Sequence, residues 1–150
     1  MEWVVKRFPE LELQELYDIL KVRTDVFVVE QNCPYPELDN KDQKAYHVYL
    51  KNQEGIQAYL RVIDPGVSFP EASIGRVLTV KRGCGYGRIL LREGIRVARE
   101  KLGVSRIRIE AQMYAKKFYE KEGFSQCSEQ FIEDGIPHIQ MLWELQEHSR

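Results

Sequence analysis

Three glycines stand close together in the stretch VKRGCGYGRILL, at residues 80–91, between a strand-like and a helix-like segment. Glycine has no Cβ, so successive backbone N–H groups can turn towards one point without obstruction. A helix that begins there adds unpaired N–H groups and the positive end of its dipole. Such a loop could bind phosphate, and the alternative is an ordinary surface turn.

The spacing of these glycines distinguishes between three phosphate-binding patterns. A dinucleotide fingerprint needs a third glycine at position 88, which is Arg. A Walker A loop needs Gly-Lys-Ser/Thr, which the sequence lacks. The pattern Arg/Gln-x-x-Gly-x-Gly/Ala remains, and Arg82, Gly85 and Gly87 satisfy it. A pyrophosphate would suit this pattern.

Strands and helices must position this loop, and hydrophobic periodicity predicts where they lie. We expect either one long helix or two short ones over 11–29, and prolines with Asp and Asn predict a loop over 31–43. The predicted strands are 3–8, 45–50, 56–63, 73–80 and 105–111. A helix follows the glycines to about Lys101, and a shorter one covers 114–123.

A closing hairpin is predicted around Asp134 and Gly135, between the segments FSQCSEQFIE and PHIQMLWEL. The order of elements indicates an α+β fold with a mixed, mainly antiparallel sheet flanked by helices. No composition shift or linker divides the chain, so we expect a single domain over residues 1–150.

The net charge of −1 hides an uneven distribution along the chain. Residues 76–108 contain ten Lys or Arg and two Glu, a local charge of +8 that leaves −9 for the rest. A polyanionic ligand suits such a segment, and a solvated helix face is the alternative. Nucleic acid is not the expected ligand, because no stacking aromatics alternate with the helix arginines and the whole chain is not basic.

The cysteines and the amino-terminal residues bear on where the protein is located and on whether it binds a metal. Cys33, Cys84 and Cys127 are widely separated and odd in number, which argues against a disulfide framework and favours a reducing compartment. We see no secretory signal and no membrane-spanning run, and we expect a cytoplasmic protein that binds no membrane. No Cys or His spacing is typical of a metal site.

A second motif joins the glycine loop. The segment AQMYAKKFYEKEGF (111–124), together with the loop before an arginine-rich helix, resembles the GCN5-related N-acetyltransferase (GNAT) superfamily. It is similar to that superfamily's Asn-x-x-Ala-x-x-x-Tyr-Glu-Lys-x-Gly-Phe, with Gln112 in place of Asn. Segments 26–42, 74–77 and 133–141 resemble its ElaA-like branch.

One departure from the superfamily lies before the loop. Members usually place several residues, often including proline, between the strand and the motif arginine. Here Val80, Lys81 and Arg82 follow one another directly. We expect the phosphate loop to survive this shortening, which instead affects which strand amides meet the thioester carbonyl.

The resemblance implies that acetyl-CoA is the donor and that its acetyl group passes directly to an amine in a ternary complex. It implies that the loop holds the pyrophosphate and that amides of the fourth strand polarise the thioester carbonyl. The implied donor-binding residues are Leu78, Thr79, Val80, Lys81, Arg82, Gly83, Cys84, Gly85, Tyr86, Gly87, Arg88, Gln112, Phe118 and Tyr119.

Proton transfer needs an acid and a base, and the resemblance implies that Tyr119 is the acid that protonates the departing sulfur. Glu110 ends a strand where many members have a base, although a solvated carboxylate would look the same in sequence. His138 and His47 have a suitable intrinsic pKa. A lone strand histidine is more often structural, and this alternative stays open for each, as does a water relay.

The acceptor is expected to be a small-molecule primary amine of unknown identity. Acidic residues gather in the segments expected to frame it and would attract a cation: Glu30, Glu37, Asp39, Asp42, Glu133 and Asp134. We expect Glu30, Gln31, His47, Asp134 and His138 to bind it. A catalytically silent CoA-binding module is the alternative function, and a homodimer is compatible with exposed edge strands.

Overall fold

The computed structural model describes residues 1–146 of the chain as eight strands, three α-helices and several short helical turns. The α-helices are α1 (Leu13–Thr24), α2 (Tyr86–Leu102) and α3 (Lys116–Glu120). The strands are β1 (Glu2–Arg7), β2 (Ala45–Asn52), β3 (Gly55–Ile63), β4 (Ser73–Thr79), β5 (Arg106–Gln112), β6 (Phe124–Gln126), β7 (Phe131–Glu133) and β8 (Ile136–Glu144).

The strands form two antiparallel sheets. The first has the order β1-β2-β3-β4, and the second has the order β5-β8-β6, with β7 also paired to β8. The mixed α+β class, the antiparallel pairing and the flanking helices confirm the prediction from the sequence. The β7–β8 hairpin turns at Asp134 and Gly135, whose φ angles of 51° and 76° suit an Asp-Gly turn.

The two sheets are joined at one end of β4 and β5. A parallel bridge pairs Ala72 with Ile107, and the N–H of Arg108 donates to the Ala72 carbonyl at 2.9 Å. Beyond that bridge, no ladder connects β4 to β5 within residues 1–146. The strands therefore open into a wedge towards their carboxyl ends, where functional sites of parallel strand pairs commonly lie.

Helix α2 fills the space behind this wedge, and its apolar side supplies the buried residues Leu90, Leu91, Val97 and Ala98 to the main core. Gly94 allows the close approach, because a Cβ there would lie 2.8 Å from Leu60 Cδ2 on β3. The opposite side of α2 carries the arginines, as expected.

Strand ends differ from the expected bounds by one or two residues, and three segments differ in kind. The predicted helix over 11–29 is α1 followed by a π-helical turn at Asp25–Glu30. The helix predicted over 114–123 is a 3₁₀ turn at Met113–Ala115 and then α3. The segment 124–133 is two strands, because the Ser128 hydroxyl accepts the N–H of Gln140 and replaces a backbone partner there.

Candidate active site

The wedge between β4 and β5 opens into a cleft of about 690 Å³. Its walls come from β4, the end of β5, the start of α3, the β7–β8 hairpin and the loop before β2. Predicted site residues that line it are Gln31, Leu78, Thr79, Arg82, Glu110, Gln112, Phe118, Tyr119, Asp134 and His138.

Strand β4 bulges in the middle of this wall. Tyr59 pairs with Leu78 and Arg61 with Gly75, so two β4 residues, Arg76 and Val77, oppose Leu60 alone. Arg76 has a φ of 52°, in the left-handed region. Such a bulge bends a strand and leaves backbone groups outside the ladder. Backbone N–H and C=O groups in this stretch of β4 are therefore available to a ligand in the cleft.

The amides of β4 can be assigned to its two edges. The N–H of Val80 donates to the Gln57 carbonyl at 2.9 Å, which directs it into the β3 side. Directions alternate along an antiparallel strand, so Leu78 also faces β3 and Thr79 faces the cleft. Of the three strand amides that the sequence left open, those of Leu78 and Val80 are directed towards β3, so Thr79 is the candidate for contact with a thioester.

The glycine loop has the conformation that its composition predicts. Gly83 and Gly85 have φ angles of 78° and 76°, and α2 begins at Tyr86. A Cβ on either glycine would meet no protein atom within 4 Å, so that side of the loop is open. Gly87 lies against α3, where a Cβ would approach Phe118 Cε1 at 3.3 Å. The residues present therefore fit a pyrophosphate at the start of α2.

Charged residues of the loop contact acidic neighbours. Arg82, whose side chain is 80% exposed, donates to Glu30 at 3.3 Å. Glu30 therefore pairs with the glycine loop and does not line the cleft where the acceptor was expected.

The other side chains of the loop have different surroundings. Lys81 pairs with Glu54 at 3.3 Å, and Cys84 is exposed. Tyr86 packs against the main core, and Arg88 lies 3.8 Å from Glu122.

Tyr119 stands on the cleft wall among aromatic rings. Its ring packs edge-on against Phe118 at 5.1 Å and Phe124 at 5.7 Å between centroids. Its hydroxyl has no hydrogen-bond partner among residues 1–146. Burial raises the pKa of this phenol above its ordinary value, so the hydroxyl keeps its proton and remains available to donate it.

Glu110, Glu133 and His138 form a cluster at the other end of the cleft. The Glu110 side chain is exposed at the cleft surface but partly desolvated there, and this desolvation, followed by the neighbouring charge of Glu133, raises the pKa of its carboxyl above the ordinary value. His138 Nδ1 donates to the Ile136 carbonyl at 2.7 Å, which leaves Nε2 free at 3.9 Å from Glu133. A carboxyl with a raised pKa beside a like charge is suited to accept a proton near neutral pH.

His47 was expected at the acceptor, and the structure corrects this. It is 0% exposed and does not line the cleft. Its Nε2 lies 2.9 Å from the Asp42 carbonyl, which can only accept, so Nδ1 accepts from the Tyr59 hydroxyl at 2.7 Å. Burial lowers its pKa and keeps the ring neutral. His47 is a structural residue.

Three of the expected acidic rim residues are neutralised by arginines. Glu37, Asp39 and Asp42 form ion pairs with arginines of α1, β3 and β4, and Arg23 and Arg61 are 0% and 3% exposed. This arginine–carboxylate network comprises Arg23, Glu37, Asp39, Asp42, Arg61 and Arg76. The network carries no net charge, and its members Asp39, Arg61 and Arg76 line the cleft. Glu110, Glu133 and Asp134 are left as the unneutralised acidic groups of the lining.

Replacing Arg23 by Met should destabilise the protein by about 3 kcal/mol, because Glu37 and Asp42 each lose a buried cation. The free energy of unfolding in urea measures this. Lys21→Met is the matched control on the same helix, since Lys21 pairs with Asp25 in solvent, and it should change stability little. Equal stability of the two variants would contradict a buried network.

The splayed strands, the open glycine loop and the aromatic wall with its free hydroxyl together define an acyl-CoA-dependent acyltransferase. The chain belongs to the acetyltransferase (GNAT) domain family, which matches residues 21–145. The resemblance found in the sequence is thereby confirmed.

Relatives and solved structures agree over nearly the whole chain. A UPF0039 protein of Schizosaccharomyces pombe is 41% identical over 97% of this chain and 98% of its own length. The crystal structure of Escherichia coli ElaA is similar with a TM-score of 0.89 at 32% identity, over 95% of this chain and 99% of that one. An acyl-CoA N-acyltransferase from Pseudomonas aeruginosa has a TM-score of 0.90 at 34% identity, over the same shares.

Within residues 1–146, none of the helices has the length and apolar character needed to cross a bilayer.

Several site residues could not be found by sequence reasoning. Arg23, Arg61 and Arg76 look like ordinary polar positions in a helix and two strands, yet all three bind the loop at 37–42. A single arginine within the apolar runs AYLRVI and SIGRVLTV is the one available signal. It indicates a buried partner without saying which.

Proposed function

We propose that this protein is an acetyl-CoA-dependent N-acetyltransferase that transfers an acetyl group to a primary amine of a small molecule. The observation that carries this proposal is one cleft lined by Arg82, the first residue of the glycine motif, by Tyr119 and by Glu110. Donor and acceptor would enter from opposite ends of the wedge and react directly in a ternary complex.

The donor end supplies positioning and charge stabilisation. The N–H groups of 83–88 and the start of α2 would bind the pyrophosphate, and Phe118 would pack beside the donor's chain. The Thr79 N–H, which alternation directs towards the cleft, would donate to the thioester oxygen as it becomes an oxyanion. One such donor is typically worth about 3 kcal/mol of transition-state stabilisation.

The acceptor end supplies the base. The ammonium form of the amine would be attracted by Glu110, Glu133 and Asp134 and would lose a proton to Glu110. The neutral nitrogen then attacks the thioester carbon, so that a C–N bond forms and the C–S bond breaks. The thiolate takes a proton from Tyr119, the second proton that leaves the nitrogen returns to Tyr119 through solvent, and Glu110 releases its proton to solvent.

The phenol and the thiolate share the same buried surroundings. An ordinary phenol has a pKa of about 10 and an ordinary thiol one of about 8.5. Because burial disfavours every anion, it raises the pKa of the departing thiol along with that of Tyr119. The proton transfer therefore stays accessible although the pKa of Tyr119 is raised. We further propose a reducing compartment, the cytoplasm, supported by three free cysteines.

Calorimetric titration with acetyl-CoA tests the donor site. We expect saturable binding to the wild type and its loss in the Gly85→Val, Gly87→Val double variant. Valine resists the positive φ of Gly85 and, at Gly87, collides with Phe118. The matched control is Gly55→Val in the β2–β3 turn, which also has a positive φ but lies outside the cleft.

The outcomes of this titration separate the candidate functions. Binding by the wild type and the control, but not by the double variant, supports the donor site. Binding without turnover of any amine would favour the silent CoA-binding module. A folded wild type that binds no acetyl-CoA would contradict the proposal. The same titration with the dephospho form of acetyl-CoA, which lacks the 3′-phosphate of the ribose, tests a further contact. Weaker binding of that form would indicate that basic residues also contact the 3′-phosphate.

A further inference from the structure

The bulge of β4 depends on a residue that is poorly suited to its conformation. Arg76 has a φ of 52°, a region that side chains with a Cβ rarely adopt and that glycine adopts freely. The preceding residue is Gly75, yet the left-handed position falls on the arginine. Something outside β4 must therefore hold Arg76 in place.

The contacts of Arg76 identify Glu37 as the holder. Arg76 Nε donates to Glu37 Oε2 at 2.8 Å, and a terminal nitrogen of Arg76 donates to the Glu37 carbonyl at 3.0 Å. Its guanidinium also lies over the Tyr35 ring, 5.4 Å from the centroid. Side-chain and backbone acceptors of Glu37 thus orient the arginine, and Asp39 Oδ2 adds a longer contact at 3.5 Å.

Glu37 is itself fixed from the opposite side. It is 8% exposed, and its Oε2 also accepts from Arg23 of α1 at 2.7 Å. The Tyr35 hydroxyl donates to Oε1 at 2.6 Å. Because both carboxylate oxygens accept hydrogen bonds, one of them from the fully buried Arg23, Glu37 has little freedom to move. It connects the rigid helix α1 to the bulge.

We propose that Glu37 is a positioning residue that holds Arg76 in its left-handed conformation and thereby fixes the direction in which the Thr79 amide of β4 faces the cleft. Without the contacts to Glu37, the Arg76 backbone would relax towards an extended conformation. The pairing of 76–77 with Leu60 would then change, and the Thr79 N–H would no longer point into the cleft. The catalytic consequence rests on the proposed function, whereas the backbone consequence does not.

Two substitutions of Arg76 separate the backbone from the side chain. Both Arg76→Gly and Arg76→Val remove the guanidinium, but glycine accepts a φ of 52° and valine, which is β-branched, does not. We expect Arg76→Val to lower kcat about 100-fold, as a misplaced oxyanion donor does. Arg76→Gly should lower it less than about threefold, and Kd for acetyl-CoA should change little in either. Equal loss in the two variants would overturn the inference.

Glu37→Gln tests whether the hold passes through Arg76. In the wild-type background it should lower kcat at least about tenfold. In the Arg76→Gly background, glycine adopts the left-handed conformation without help from Glu37. There Glu37→Gln should lower kcat less than twofold further, which is about the error with which the effects of independent substitutions add. An equal effect in both backgrounds would mean that Glu37 acts by another route. This comparison decides the matter even if Arg76→Val fails to fold.

An NMR measurement keeps this inference separate from the proposed function. Amide shifts of 76–79 and cross-strand NOEs from Leu60 report the bulge without any turnover. Glu37→Gln should change them in the wild-type background and leave them unchanged in Arg76→Gly. Unchanged shifts in Glu37→Gln alone would overturn the inference. If the shifts respond as expected but no amine is acetylated, only the proposed function fails.

Discussion

Tyr119→Phe is expected to lower kcat by about 100-fold or more while Kd for acetyl-CoA changes little. The substitution removes one oxygen and keeps the ring that packs against Phe118 and Phe124. Because that hydroxyl has no hydrogen-bond partner among the described residues, its loss should cost the fold little. Steady-state kinetics and calorimetry on the same variant measure the two effects.

The control for Tyr119 is Tyr17→Phe, an exposed phenol on α1 that lies outside the cleft. Its kcat should equal that of the wild type. Single-turnover measurements are needed beside the steady state, since slow product release would hide a slower chemical step. An unchanged single-turnover rate in Tyr119→Phe would remove the acid role from this residue.

Glu110→Gln should lower kcat/KM by about 100-fold or more, because the amide keeps the shape of the side chain but accepts no proton. In the wild type, kcat/KM should rise with pH along a limb that reports Glu110. The pKa of this carboxyl is raised by desolvation and by Glu133, so the limb should lie above the pH range of an ordinary glutamate. Lys41 and His138 oppose that shift.

Glu133→Gln tests whether the charge of Glu133 raises the pKa of Glu110. Removing the neighbouring negative charge lowers the pKa of Glu110, so the rising limb should move to lower pH while the enzyme remains active. Glu129→Gln, an exposed position between β6 and β7, should leave the profile where it is. A limb that stays in place in Glu133→Gln, or that survives in Glu110→Gln, would contradict the base assignment.

Sequence periodicity and turn chemistry predicted most of the architecture for identifiable reasons. The strand pattern of 105–111 places Ile107, Ile109 and Ala111 on one face and Glu110 on the other, and the structure buries the first three and exposes the glutamate. The glycine loop carries its conformation in its composition, because positive φ angles at Gly83 and Gly85 follow from local sterics. Such features depend on neighbours along the chain.

The features that sequence did not predict depend on partners far along the chain. His47 looks like a catalytic candidate until Tyr59 and the Asp42 carbonyl occupy both of its nitrogens. Three of the acidic residues expected around an acceptor instead meet buried arginines. Charge type alone cannot say whether a carboxylate faces solvent or a guanidinium, since only the tertiary fold brings the partner.

The pair between Glu30 and Arg82 has a consequence for selectivity. The motif arginine is already occupied by a carboxylate at 3.3 Å before any donor arrives. At the proposed donor site, a ligand that binds Arg82 would compete with Glu30 for the guanidinium, although both side chains are mostly exposed and the pair itself is weak. A singly charged anion has little advantage over the carboxylate, whereas a pyrophosphate brings more charge and also engages the N–H groups of the loop. We therefore expect the proposed donor site to favour a pyrophosphate over a singly charged anion.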